Sequence, residues 1–180
     1  MMPSIRNIAT STDAASYQDA PFFGVSLDKF IVMSICTFGI YDIYWCYHQW
    51  RAERRRGDSD VSPFWRAFFA PLWGFSLFSR VQDVAERHGV TATWSANGLG
   101  LAFLLLSISW RLPDPYWLVS VFAFLPLVPI QVTVNALNTA AAPSAPRNDK
   151  YSGLNVLGIV WGVILMALVV VGMLLPPVAT

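Results

Sequence analysis

Charged side chains are scarce in this sequence. They make up 13% of its 180 residues, and twelve basic against eleven acidic groups leave a net charge of +1. A soluble domain carries about 25% charged residues, so the supply for a water-facing surface is roughly halved. A balance this close to zero leaves no basic footprint for phosphate and excludes a nucleic-acid partner. Low charge together with high apolar content also excludes a disordered chain and a coiled coil. Cysteine is scarcer still: Cys36 and Cys46 are the only two, too few for a disulfide framework or a zinc site. Their apolar surroundings read as reduced, buried, structural thiols. The two histidines, His48 and His88, stand forty positions apart. With no partner at ligand spacing, neither a metal nor a cofactor is expected. No Ser–His–Asp set, phosphate-binding glycine loop, paired-carboxylate motif or His–Glu zinc motif is present, so no position is assigned as catalytic. The first 29 residues contain Asp13, Asp19 and Asp28 and lack the basic-then-apolar pattern of a secretory signal.

Apolar and aromatic surface is what the sequence has in quantity. Apolar types reach 55%, aromatic types 14%, and the mean hydropathy is +0.48. A crossing helix needs about 20 apolar residues, because the hydrocarbon layer is about 30 Å thick and a helix rises about 1.5 Å per residue. Three runs reach that length without a charge: Gly89 to Trp110, Tyr116 to Val134, and Leu154 to Leu175. Phe30 to Trp50 is a fourth, interrupted by Asp42. Ser26-Leu27-Asp28 offers it a cap and Lys29 an anchor that snorkels to the head groups. It is expected to span, with Thr37-Phe38-Gly39 as the place where it would otherwise break into two halves that dip in and return. Pro63 to Ser79 is too short once Arg66 interrupts it, and Pro71 is expected to kink it. Its continuation is amphipathic, with Leu77, Val81, Val84, Ala85 and His88 at helical spacing and Gly89 as its stop. Such a segment suits the membrane surface.

Loop charges set the orientation, since Lys and Arg accumulate on the cytoplasmic side. If Phe30–Trp50 spans and Pro63–Ser79 does not, nine of the twelve basic residues share one face, and Arg6, Lys29 and Arg111 lie opposite. If both span, six fall on each side; if Phe30–Trp50 re-enters, only Arg111 stands apart. The favoured versions place Arg51–Asp60 in the cytoplasm and the C-terminus outside. Leu112-Pro113-Asp114-Pro115 reads as a tight turn joining its flanking runs into an antiparallel hairpin, with Trp110, Tyr116 and Trp117 at the interface. The expected organisation is a flexible polar segment over residues 1–25 and one helical membrane domain over 26–180, with cytoplasmic loops 51–62 and 136–152. The expected fold class is all-α: a polytopic helical membrane protein with about four crossings plus one interfacial or re-entrant aromatic helix.

Several side chains are candidates for function. Asp42 is an ionisable group in a membrane segment, costly to bury uncompensated. It would serve a relay with Tyr41, Tyr44, Tyr47 and His48, or pair with a basic residue near the head groups. Arg51, Arg54, Arg55 and Arg56 are suited to anionic lipid head groups, tempered by Glu53, Asp58 and Asp60, and also act as a topology signal. Gln131, Asn135 and Asn138 fall on one helical face and would line a polar path or bond to neighbouring helices. Gly158 and Gly162 form a Gly-x-x-x-Gly pair for close packing, within the chain or between copies, with Ala96 and Gly100 as a candidate partner face.

Lys29 to Trp50 reads KFIVMSICTFGIYDIYWCYHQW. It resembles the opening segment of a group of functionally uncharacterised bacterial multi-pass membrane proteins, whose hallmark is Thr-Phe/Leu-Gly-Ile-Tyr followed by Tyr-Trp. Thr37, Phe38, Gly39, Ile40, Tyr41, Tyr44 and Trp45 carry the likeness, which extends to Ser62-Pro63-Phe64-Trp65-Arg66-Ala67 and to Leu112-Pro113-Asp114-Pro115-Tyr116. The resemblance implies a bacterial inner-membrane location and no particular activity. Asp42 stands where a small residue is commoner in the group.

These features together point to an integral inner-membrane accessory, scaffold or lipid-organising protein without catalytic activity. Its partners would be the lipid bilayer, anionic lipids and other membrane proteins or further copies of the chain. Two rivals have their own residues. A small oligomeric transporter or channel would use Asp42, Gln131, Asn135 and Asn138. A membrane enzyme acting on lipid or quinone would gather His48, Asp42 and Arg66 at one depth.

Overall fold

The computed structural model describes residues 20–57 and 62–174. Its helices are α1 (Leu27–Cys36), α2 (Ile40–Arg55), α3 (Pro63–Phe68), α4 (Ala70–Arg87), α5 (Ala96–Ile108), α6 (Leu127–Ala141) and α7 (Gly153–Leu174). Two 3-10 stretches, Ser109–Arg111 and Tyr116–Phe124, lie between α5 and α6. The fold is all-α; an isolated bridge between Val25 and Asn148 is the β-type pairing among the described residues.

Phe30 to Trp50 is not one spanning helix. It breaks at Thr37-Phe38-Gly39, where Phe38 (φ 51°) and Gly39 (φ 84°) take left-handed backbone that only glycine adopts without steric cost. Thr37 fixes the bend: its hydroxyl donates to the Met33 carbonyl at 2.7 Å and accepts the Tyr41 N–H at 2.9 Å. The chain then runs back on itself. Ser34 bonds to Asp42, the Phe30 ring lies 5.6 Å from Trp45, and Phe23 stacks on His48 at 4.6 Å. Pairs that widen in sequence on both sides of one turn define a helical hairpin. Lys29 does not snorkel. It is buried and ties the hairpin to the linker before α7, donating to Asn148 Oδ1 at 2.9 Å and the Lys150 carbonyl at 2.7 Å.

A second hairpin follows. The break falls at Phe69 (ψ 38°), and Pro71 opens α4 rather than kinking a longer helix, since proline costs nothing in a first turn whose N–H groups are unpaired anyway. Phe64 shares a cleft with Arg51, Arg54 and Arg55 at the C-terminal end of α2. Phe68, Ala70 and Pro71 share a cavity with Gly39 and Ile40 at its start, and Arg80 and Arg87 return beside Glu53 and Arg56. The segment therefore climbs along α2 and descends, rather than lying flat. Leu77, Val81, Val84 and Ala85 form the buried stripe of α4, whereas His88 is exposed. Gly89 (φ 72°) ends the helix as the Val90 N–H bonds the Ala85 carbonyl.

Gly89 to Trp110 is a shorter element than its apolar run implies. Ser95 caps α5, its Oγ accepting the Gly98 N–H at 3.2 Å, so residues 90–94 stay outside the helix. Thirteen residues make a helix of about 20 Å, short of the hydrocarbon thickness. The turn at residues 112–115, with a cis Asp114–Pro115 bond, folds the 3-10 stretch Tyr116–Phe124 against α5. Among the described residues two helical stretches are long and apolar enough to cross a membrane, Tyr116–Ala141 and Gly153–Leu174. The first runs past Val134 to Ala141, which shortens the linker expected at residues 136–152. Residues 22–25, assigned above to the flexible segment, belong to the core: Phe22 and Val25 are buried.

α7 is nearly bare: Gly162 is its one buried residue. Twenty-two residues give a length of about 33 Å, which matches the hydrocarbon layer, and an uncovered apolar surface of that size is foreign to soluble monomers. Ser152 and Asn155 cap its start reciprocally. The helix touches the bundle through its glycine pair. A side chain at Gly162 would collide with the Cys36 carbonyl at the end of α1, while one at Gly158 would meet Thr37 and Met33 at 3.7 and 3.8 Å. Gly100 packs elsewhere, against the Phe75 ring of α4, and Ala96 is buried at the start of α5. Cys36 is half-buried and Cys46 buried, both free thiols. The two glycines predict different sensitivities. Gly162→Ala should cost about 1–3 kcal/mol through backbone collision, read as a lower midpoint of thermal unfolding in detergent, whereas Gly158→Ala should leave the midpoint unchanged. Equal effects at the two positions would contradict this packing.

Candidate functional site

Three groupings of polar residues stand out, and the first is a clamp. The segment Phe22–Val25 crosses the bundle in an extended conformation, so its backbone groups have no helical partners and must find others. Side-chain amides supply them. Asn138 accepts the Phe22 N–H at 3.2 Å and donates to the Phe22 carbonyl at 2.8 Å. Gln49 does the same for Phe23, at 3.0 Å each way. Gln131 and Asn135 both donate to the Val25 carbonyl, at 3.1 and 2.9 Å. Gln131, fully buried, also donates to Asn135 and accepts the Trp45 indole N–H. The spacing of 131, 135 and 138 puts the three amides of α6 on one face, and that face grips a neighbouring strand-like segment. A cavity of about 210 Å³ beside Asn135, Asn138 and Arg147 borders the clamp.

The second grouping is basic. Arg51, Arg54 and Arg55 line a cleft of about 530 Å³ with Tyr47, Ser62 and Phe64. Partial burial, and then the like charges of Arg51 and Arg56, lower Arg55 from its ordinary value. Arg56 belongs to a different arrangement. It pairs with Glu53 at 2.5 Å, donates to the Pro21 carbonyl at 3.0 Å and lies over the Phe22 ring. Glu53 is buried between Arg56 and Arg80, so it does not temper the other three. Asp58 and Asp60 lie outside the described residues. Beside this cleft, Phe64, Trp65, Phe68, Phe69 and Leu72 are exposed. Arg66 is folded inward from that ridge, stacked 4.5 Å from both Trp50 and Trp73.

The third grouping surrounds Asp42, which is buried near the bend of the first hairpin. Its Oδ1 accepts the Ser34 hydroxyl at 2.6 Å; among the described residues it has no basic partner, contrary to the pairing considered from sequence. It lines a cavity of about 320 Å³. His48 lines a separate cleft with Arg51 and Arg55, so Asp42, His48 and Arg66 do not converge. Among the described residues, no group of three or more His, Cys, Asp or Glu side chains is placed to hold a metal ion. Sequence reasoning missed Gln49 and Ser34, and gave Lys29 a membrane-anchoring role in place of its bonds to Asn148 and Lys150. Gln49 was legible in part, one helical turn from Trp45, but its partner is a backbone that only the fold brings near.

Compared with protein-family models, curated proteins and solved structures, the chain matches none. Its class is therefore set by the fold: an aromatic-rich all-α bundle with, among the described residues, two helical stretches long and apolar enough to cross a membrane. The clamp carries a clear expectation. Gln131→Leu keeps the volume but strips the Trp45 indole of its acceptor and removes one donor from the Val25 carbonyl. An orphaned buried group costs about 1–3 kcal/mol. Thermal unfolding in detergent should show that loss, while Thr139→Ala, at an exposed position of the same helix, should not. A Gln131→Leu protein as stable as the parent would refute the clamp.

Proposed function

We propose that this chain is a multi-pass protein of the bacterial cytoplasmic membrane with an accessory, non-catalytic role: it organises anionic lipid at the cytoplasmic leaflet. The carrying observation is the basic cleft. Arg51, Arg54 and Arg55 share it without an ion pair among the described residues, next to exposed Phe64 and Trp65. Guanidinium groups suit phosphate oxygens, and aromatic rings favour the head-group region. The resemblance carried by Thr37–Trp45 supports the bacterial membrane location.

The two hairpins also favour one topology. With Phe30–Trp50 returning, every basic residue except Arg111 falls on one side, which is the strongest positive-inside bias of the arrangements considered. In this reading Tyr116–Ala141 and α7 cross, α5 with its 3-10 extension to Arg111 crosses where the bilayer thins to meet its shorter length, and two hairpins re-enter. The transporter rival loses Gln131, Asn135 and Asn138, which are engaged with backbone. The enzyme rival lacks a cluster of His48, Asp42 and Arg66.

Nanodiscs of phosphatidylcholine with and without phosphatidylglycerol test the lipid reading. The purified protein should retain phosphatidylglycerol after delipidation, and replacing Arg51, Arg54 and Arg55 together by Gln should weaken retention roughly a hundredfold, at about 1 kcal/mol per arginine. Replacing Arg87, exposed on α4, should have little effect. Retention unchanged in the triple variant would overturn the proposal. Topology has its own check: single cysteines introduced at Arg54 and Arg147 of a Cys-free protein should both resist an impermeant maleimide in intact cells, and labelling of either would contradict the orientation.

A further inference from the structure

Three turns of the chain converge on the Asp42 cavity: the Phe38-Gly39 bend, the Phe69–Pro71 break between α3 and α4, and the end of α5 at Ser107–Trp110. Each is a place where helices stop, so the bundle leaves room among them rather than closing. The space is about 320 Å³, at the lower end of the range of small-molecule sites, roughly 300–1,000 Å³.

The chemistry of the lining is lopsided. Asp42 is the one titratable side chain among the lining residues. It is 4% exposed, and its partner is a neutral hydroxyl, Ser34. The space opens on one side: Phe38, Phe68 and Trp110 contribute aromatic surface, the last two from its exposed rim, and Ser107 and Ser120 are the lining hydroxyl residues. Among the described residues no arginine or lysine lines the space, although basic residues crowd the opposite ends of α2 and α4. Burial without a counter-charge drives a carboxyl toward its neutral form, and a cation bound beside it favours the charged form. Aromatic walls favour a cation of low hydration, such as a substituted ammonium, over a metal ion that demands a shell of oxygen ligands.

We propose that the Asp42 cavity is a binding site for a small organic ammonium ion, with Asp42 as its counter-ion, Phe38, Phe68 and Trp110 as its walls and Ser34 positioning the carboxylate. The site is independent of the basic cleft and would remain if the lipid reading failed.

Benzyltrimethylammonium is a suitable probe, because its carbon isostere, neopentylbenzene, has the same shape and no charge. Titrations would use the full chain in a neutral maltoside detergent, which carries neither an anionic head group to bind the probe nor a choline head group to compete with it. Saturable binding of the ammonium ion is expected, with the isostere at least tenfold weaker. Asp42→Asn should weaken ammonium binding at least tenfold and leave the isostere unchanged. Ser120→Phe, which fills the cavity without touching the Ser34–Asp42 bond, should abolish binding of both; it decides the matter should Asp42→Asn fail to fold. No saturable binding by the parent protein, equal affinity for ion and isostere, or undiminished binding in either folded variant overturns the proposal. So does displacement of the ammonium ion by sodium at equal concentration, which would mark the site as one for metal cations.

Discussion

The amide clamp on Phe22–Val25 is the contact on which the rest of the structure depends. Backbone inside a bundle but outside its helices carries donors and acceptors that must find partners in the protein. Asn138, Gln49, Gln131 and Asn135 answer them in turn. The amides come from α2 and α6, so the same bonds that satisfy the segment also fasten those two helices to one another. Asn148 adds the linker from the other side, its N–H reaching the Gly24 carbonyl while its side chain accepts from Lys29. In lipid, where apolar contact gives little drive for helix association, such bonds and close packing must hold the bundle together.

The molecule has two unlike ends. One gathers the clamp, the linker and most of the basic residues around the C-terminal part of α2. The other gathers the bends of both hairpins and the α5 terminus around a single carboxylate. Helix lengths account for the division. α2 is sixteen residues long, about 24 Å, which separates the basic cluster at its C-terminal end from the carboxylate at its start.

Much of the fold was legible in the sequence, and the failures share a cause. Gly89, Pro113-Asp114-Pro115 and the α4 stripe were read from local chemistry, and local chemistry decides them. The break at Thr37-Phe38-Gly39 was visible as a possibility, but apolar length argued for a span. Length measures what lipid tolerates, not where the backbone turns. Residues 90–94 misled in the same way, being uncharged without being helical. The polar face of α6 was found by its spacing, yet its target, four residues more than a hundred positions away in sequence, gave no local sign. Lys29 looked like an anchor because its charge was read without Asn148, which only folding supplies. The cavity beside Asp42 arises from three chain reversals meeting, and no motif records a meeting.

α7 brings a mechanical consequence. Its bulk faces outward, and its tightest contact with the rest is the Cys36 carbonyl against Gly162, near the middle of its length. A rod held at its midpoint pivots. A thinner bilayer would be met by leaning α7 about that fulcrum, at a modest cost per ångström of mismatch. The arm before the pivot begins at the linker that Lys29 and Asn148 tie to the first hairpin, so bilayer thickness would be felt as torque on the hairpin that carries Asp42.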